Sequence, residues 1–178
     1  MEAETGRVGR VVVASDAALV AAALADPAAF DAIYERYHAQ VFRFVLARGL
    51  DEDAAVDVVA TTFERGLAHL RSYRADGGGL PAWLFRIARN ALIDERRRQG
   101  RLTDLGAASA YVSDHGTLRD PDLQVALGRL SEEAREAIAL RYAGGLTAAE
   151  IGSVLGKRPA AVQKLIERTL EHLKEALG

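Results

Sequence analysis

The chain has 178 residues, 49% of them hydrophobic and 27% charged, with a formal net charge of −2, a globular composition long enough for one large or two small domains. It contains no cysteine, which excludes disulfides, thiolate zinc sites and cysteine nucleophiles. No apolar run approaches the roughly 20 residues of a membrane span, and the valines near the N-terminus lack secretory architecture, so a reduced, cytoplasmic protein without membrane insertion is expected.

Nearly every apolar segment has helical period, and Ala and Leu dominate where strands would favour Val, Ile or Thr; the fold class is read as all-α. Asp16 to Ala25 forms a first helix, ended by Pro27. Ala28 to Leu46 forms a second, on the recurrence of Phe30, Ile33, Tyr34, Tyr37, Val41 and Phe44 at threes and fours. Gly49 stops it. The acids Asp51, Glu52, Asp53 and Asp57 open a third helix to about Leu70, where acids in a first turn complement the helix dipole. Tyr73 to Pro81 is a turn-rich loop. Its three consecutive glycines lack both the preceding strand and the following Gly-Lys-Ser/Thr of a phosphate loop.

The next segment, Ala82 to Arg98, carries the most information. At about 100° per residue Leu84, Ile87, Ala88 and Ala91 fall on one side, with Arg86, Arg89, Asn90 and Arg97 roughly opposite. Between Trp83 and Arg101 there are six arginines and only two acids, Asp94 and Glu95. On a chain with a sequence pI near 6.1, such a stripe points to a localised polyanion contact, the plain alternative being a solvated helix face. Trp83 reads as core rather than as a stacking platform, and the two acids as internal ion-pair partners.

Periodicity then disappears. Gln99 to Asp120, rich in Gly, Ser, Ala and Asp, reads as an interdomain linker. A second helical block starts at Pro121. Ser131 caps a helix with Glu132 and Glu133 in its first turn and a stop at Gly144-Gly145. Thr147 with Glu150 is a capping box opening a short helix from about Ala148 to Leu155. Gly156 turns the chain, and Pro159 suits a first helical position. The last helix runs to about Leu177, with Val162, Leu165, Ile166, Leu170, Leu173 and Leu177 as its apolar side. Two helices joined by a short glycine turn make a helix-turn-helix candidate. The histidines His38, His69, His115 and His172 are scattered. With no carboxylate pair, Ser/His/Asp set or metal-spaced cluster, neither an enzyme nor a metal or cofactor site is expected.

Both blocks, in this order and at this spacing, resemble the extracytoplasmic-function (ECF) group of bacterial RNA polymerase sigma factors. AALVAAALADPAAFDAIYERYHAQVFRFV, AAVDVVATTFERGLAHL and LPAWLFRIARNALIDERRR are similar to successive parts of their region two. LSEEAREAIALRYAGGLTAAEIGSVLGKRPAAVQKLIERTLEHL is similar to their region four. The resemblance implies region two over 14–101, a linker over 102–120 and region four over 121–178. It implies a dissociable subunit that binds core RNA polymerase, recognises the −10 and −35 elements of promoter DNA, promotes transcription initiation and is controlled by an anti-sigma factor.

Position by position, the resemblance implies polymerase contacts at Asp53, Asp57, Phe63 and Arg65. It implies a base-capturing loop from Tyr73 to Leu80, including Arg74, followed by −10 contacts at Trp83, Arg86, Arg89, Asn90, Arg97 and Arg98. It places −35 contacts at Arg158, Pro159, Ala160, Gln163, Lys164 and Arg168. The chemistry agrees, because guanidinium groups form bidentate bonds with phosphates and base edges. An exposed base also needs an aromatic or apolar pocket with nearby cations to offset its unstacking.

Two departures stand out. Ala60 and Thr61 replace the usual Gln and acid before Thr-Phe, removing two polar contacts to the polymerase. The final helix has Arg158 at the cap in place of Ser, and sets Lys164, Arg168 and Lys174 against Glu167, Glu171 and Glu175. That helix is formally neutral, its charges spaced to stabilise an exposed helix, and lower affinity for −35 phosphates is expected. Two other readings remain open: a helix-turn-helix regulator acting without polymerase, and a helical interaction module whose DNA reading has decayed.

Overall fold

The computed structural model describes residues 14–103 and 121–178. Among the described residues every regular element is a helix: α1 (Asp16–Ala25), α2 (Asp31–Ala47), α3 (Glu52–His69), α4 (Gly79–Thr103), α5 (Pro121–Gly128), α6 (Glu132–Ile138), α7 (Ala148–Leu155) and α8 (Pro159–Leu177). The all-α expectation holds.

Local chemistry sets most of the boundaries. Ser15, Asp51, Ser131 and Thr147 each accept a backbone N–H three residues on, capping α1, α3, α6 and α7. Asp16 ties α1 to α2, its carboxylate accepting from Tyr37 Oη at 2.7 Å and from Arg36 at 2.8 Å. Burial, then the Asp16 carboxylate, pushes the Tyr37 phenol well above its ordinary range.

Three boundaries differ from the sequence reading. A 3-10 turn, Pro27–Phe30, precedes α2, which begins at Asp31. Pro81 lies inside the first turn of α4, where its missing N–H breaks no intrahelical bond. Gln99–Thr103, read as linker, continue α4. Glu95 accepts from Arg98 and Gln99, each at 2.8 Å, and these i,i+3 and i,i+4 bonds carry the helix onward. The rest of the expected linker, 104–120, lies outside the described residues.

The interior is continuous across the two blocks. Ile33, Val41, Phe44, Leu84, Phe85 and Leu92 belong to the same buried cluster as Leu140, Leu146, Ile151 and Val162. Phe44 and Phe85 meet edge to face at 5.5 Å. A π-helical turn, Ala139–Ala143, leads into Gly144, which packs close to the Phe85 ring. A Cβ at Gly144 would approach that ring to 2.8 Å, so no larger residue fits the contact. A smaller cluster, Ala126, Leu130, Ala134 and Leu173, joins α5 to α6 and α8. Two residues expected on the apolar side of α8, Leu170 and Leu177, are exposed. Thr169 is buried there instead, its hydroxyl donating to the Leu165 carbonyl at 2.7 Å.

Candidate nucleic-acid interface

Helix α4 presents three faces. Leu84, Ala88, Ala91 and Leu92 pack against α2 and α3 as buried core, with Ile87 half-buried. Asn90 and Arg97 are exposed and make no side-chain hydrogen bond or ion pair among the described residues. The third face is turned to the second block. Arg86 Nη1 donates to Ser153 Oγ at 3.2 Å, and Arg89 Nε to Glu136 Oε1 at 2.7 Å. Arg96 Nη1 reaches Glu132 at 3.1 Å. The arginine stripe is therefore not one solvated face: Phe85, Arg86, Arg89 and Arg96 lie under the second block.

Sequence reasoning missed the partners on that side. Glu136 is only 5% exposed, and it lies on the inner side of a short helix that looked merely acid-rich. Arg48, at the end of α2, is 4% exposed and pairs with Glu132; Arg96 also donates to its carbonyl. Its Nε and Nη1 have no partner among the described residues. Burial, then the Arg96 charge, lowers the Arg48 pKa, with Glu132 opposing. Nothing in the local sequence around Gly49 signals a buried guanidinium.

The other acids behave as expected. Asp94 pairs with Arg65 at 2.9 Å and Glu95 with Arg98 at 2.8 Å. The Arg98 hydrogen bond is the largest influence holding the Glu95 carboxyl low. Trp83 is half-buried against the core and meets Tyr73 edge to face at 5.5 Å. Arg74 is exposed and folds back on the Arg71 and Tyr73 carbonyls. Loop residues Gly77, Gly78 and Gly79 all have positive φ, a backbone that only glycine adopts without strain.

The helix-turn-helix is built as its sequence suggests. Thr147 and Glu150 form the full capping box, and Gly156 turns the chain in the left-handed region at φ 68°. Gly152 is obligatory, since a Cβ there would sit 2.5 Å from the Lys157 carbonyl oxygen. Lys157 pairs with Glu133 at 2.8 Å and anchors the turn to α6. Arg158, Pro159, Ala160, Gln163, Lys164 and Arg168 are all exposed on the first half of α8. The expected charge pairing along α8 is not formed: among the described residues no ion pair joins Lys164 to Glu167 or Arg168 to Glu171. Gln163 instead donates to Glu167 at 3.2 Å.

On α3, Asp53 and Asp57 are exposed, and the Arg65–Asp94 ion pair lines an open groove of about 630 Å³ between α3 and α4. Phe63 is not a surface contact. It is 5% exposed and packs against Phe30 and Tyr34, because its helical phase puts it with Val59 on the core side. The exposed apolar residues of this surface are Tyr34, Val56 and Leu67, at 42%, 57% and 43%. Val56, Ala60 and Leu67 recur at helical spacing outside the core stripe, the one signal by which the sequence could have disclosed them.

Among the described residues no His, Asp or Glu cluster could hold a metal ion, and no helix is long and apolar enough to cross a membrane. Residues 33–102 match the family Sigma-70 region 2, and residues 121–173 match Sigma-70, region 4. These matches and the two helical units define a protein of the sigma-70 type. The ECF RNA polymerase sigma factor SigL of Mycobacterium tuberculosis is 30% identical over 164 residues, covering 88% of this chain and 93% of SigL. SigM of Bacillus subtilis is 28% identical over 152 residues, covering 81% and 92%. BldN of Streptomyces coelicolor is 30% identical over 159 residues, and there the match spans 60% of the relative's length. Two solved structures share the fold. CnrH, determined with the cytosolic domain of CnrY, has a TM-score of 0.68 at 28% identity, covering 91% of this chain and 96% of that one. RpoE of Bartonella quintana, determined with the anti-sigma factor NepR, has a TM-score of 0.63 at 26% identity, covering 83% and 96%. The chain belongs to the ECF group of RNA polymerase sigma factors, proteins of transcription initiation.

Proposed function

We propose that this chain is a dissociable, non-catalytic promoter-specificity subunit that acts in the cytoplasm. Residues 14–101 form its region two and 121–178 its region four. The exposed side of α3, with Asp53, Asp57, Val56 and Leu67, and with Tyr34 beside it on α2, binds core RNA polymerase. An acidic stripe with apolar residues suits helical partners that present basic and apolar side chains. Phe63 supports that surface from beneath, and Arg65 is available once it leaves Asp94.

Region two reads and opens the −10 element. Tyr73, Arg74 and the glycine loop take an extruded base, Trp83 buttresses the loop, and Arg86, Arg89, Asn90, Arg97 and Arg98 contact phosphates and base edges. Region four reads the −35 element in the major groove through Arg158, Pro159, Ala160, Gln163, Lys164 and Arg168. The observation that carries the reading is the segregation of charge. A chain of net charge −2 concentrates six arginines from Arg86 to Arg101, and a second exposed polar and basic face opens α8. An anti-sigma factor is the expected antagonist, in keeping with the anti-sigma factor NepR bound to RpoE.

The test is run-off transcription with core polymerase over a promoter library, comparing wild type with Arg86→Ala/Arg97→Ala. The variant is expected to keep core binding and lose opening of the −10 region, each lost base contact costing on the order of 1–3 kcal/mol. Unchanged permanganate reactivity at −10 would refute the assignment of that face.

A further inference from the structure

We propose that Asp76 chooses the base captured by the glycine loop, and that the base it chooses is guanine. The inference rests on the base-capturing role given above to the loop from Tyr73 to Leu80, and adds which residue reads the base and which base it takes.

Asp76 is the one acid between His69 and Asp94, a stretch that otherwise carries Arg71, Arg74, Arg86 and Arg89. The ordinary structural uses of an Asp in a turn are absent. Its carboxylate neither caps α4 nor closes a turn on the glycines that follow. The turn is closed by backbone alone, the Gly79 N–H donating to the Asp76 carbonyl at 3.4 Å. The side chain is exposed, and among the described residues its carboxylate accepts no hydrogen bond and joins no ion pair. Arg74, two residues away, donates to the Arg71 and Tyr73 carbonyls instead. A free carboxylate in a loop that faces DNA repels phosphates and gains only from N–H donors.

Its surroundings suit a base. Tyr73 packs edge to face on Trp83 at 5.5 Å and, being half-buried, keeps part of its ring at the surface. The Asp76 carboxylate lies close enough to act on that phenol, which burial first, then Asp16 and Asp76, pushes up. On the other side Gly77, Gly78 and Gly79, at φ 53°, 146° and 67°, carry no side chain to hold a flat base away from the carboxylate. Stacking accepts every base, so Tyr73 adds affinity without choice, and the polar group beside it discriminates.

An extruded base is read on its Watson–Crick edge. A carboxylate can only accept. Guanine offers it two adjacent donors, N1–H and the N2 amine, in the parallel arrangement of a charge-assisted bidentate pair. Adenine and cytosine each offer one amine beside a ring nitrogen whose lone pair repels the second carboxylate oxygen. Thymine offers one N–H between two carbonyls. The expected order is guanine, then adenine and cytosine, then thymine.

The test uses holoenzyme reconstituted from core polymerase and the full chain, selecting from a promoter library randomised across the −10 element. Wild type should enrich guanine at one non-template position by roughly tenfold, the size of one bidentate base contact. Asp76→Asn replaces one acceptor by a donor and should lose that enrichment at that position alone. The substitution removes no intramolecular bond, so a change confined to one position is not a folding effect. With the position known, hypoxanthine, which lacks the N2 amine, and 2-aminopurine, which lacks N1–H, should each bind several-fold more weakly than guanine. By contrast 7-deazaguanine, altered only on the opposite edge, should bind as guanine does. Identical selection by wild type and Asp76→Asn, or an Asp76-dependent preference for another base, would overturn the proposal. So would undiminished binding of both hypoxanthine and 2-aminopurine. Failure of the promoter reading itself is distinguishable, since wild-type holoenzyme would then neither select −10 sequences nor open them to permanganate.

Discussion

Phe85→Ala measures how strongly the two regions are joined. The ring is fully buried, meets Phe44 at 5.5 Å and 67°, and closes against the Gly144 turn of region four. Truncating a core Phe to Ala costs about 3–5 kcal/mol, and the lost edge-to-face pair contributes roughly 0.5–1.5 kcal/mol of that. In the full chain the expected loss is therefore about 4 kcal/mol, a large part of the roughly 5–15 kcal/mol that holds a domain folded. In a fragment spanning 14–103 the side of the ring that meets Gly144 is already open to water, and about half that loss is expected on the same scale. Urea unfolding read by far-UV circular dichroism and by the fluorescence of Trp83, the only tryptophan, gives both numbers. A shared core requires the two probes to coincide in the full chain, since circular dichroism reports both regions and Trp83 reports region two. Two resolved transitions, with Phe85→Ala costing the same in chain and fragment, would refute the shared core.

The Glu132 contact predicts an acid dependence. Burial alone would raise the Glu132 carboxyl, but Arg48 and then Arg96 outweigh it and hold its pKa below the ordinary 4.5. Because the folded value is the depressed one, the stabilisation is present above pH 4.5 and is lost as pH falls through the folded pKa. Glu132→Gln should flatten the decline of stability in that window, and an unchanged acid limb would show that the arginines do not bias the carboxyl. For the neutral recognition helix, Glu167→Lys/Glu171→Lys changes the charges of Pro159–Leu177 from three against three to five against one. Affinity for −35 duplex should rise at low salt and fall more steeply with added salt, each newly neutralised phosphate adding about 0.9 to the slope. Identical slopes would mean those glutamates point away from DNA.

Short-range chemistry made much of this protein legible from its residues alone. The caps at Ser131 and Thr147, the breakers Pro27, Gly49 and Gly156, and the apolar spacing of α2, α3 and α8 each act within about one helical turn. The same holds for Glu95, whose partner Arg98 lies three residues on, and for the exposed opening of α8; Asp94 also has an internal partner, but it is Arg65 on α3, 29 residues away. The use made of each arginine was not legible. Helical period places Arg86, Arg89, Asn90 and Arg97 together, yet Arg86 and Arg89 are held by region four while Asn90 and Arg97 face solvent. Those partners lie 67 and 47 residues away, and Arg48 meets Glu132 across 84. Phe63 and Tyr34 also exchanged places: Tyr34, expected on the apolar side of α2, is 42% exposed, while Phe63, expected at the polymerase surface, is 5% exposed. Residues by themselves determined which helices form and which carry positive charge. Only the tertiary structure decided which of those charges face solvent and which meet the chain's own carboxylates, because that depends on how two distant helical surfaces close on one core.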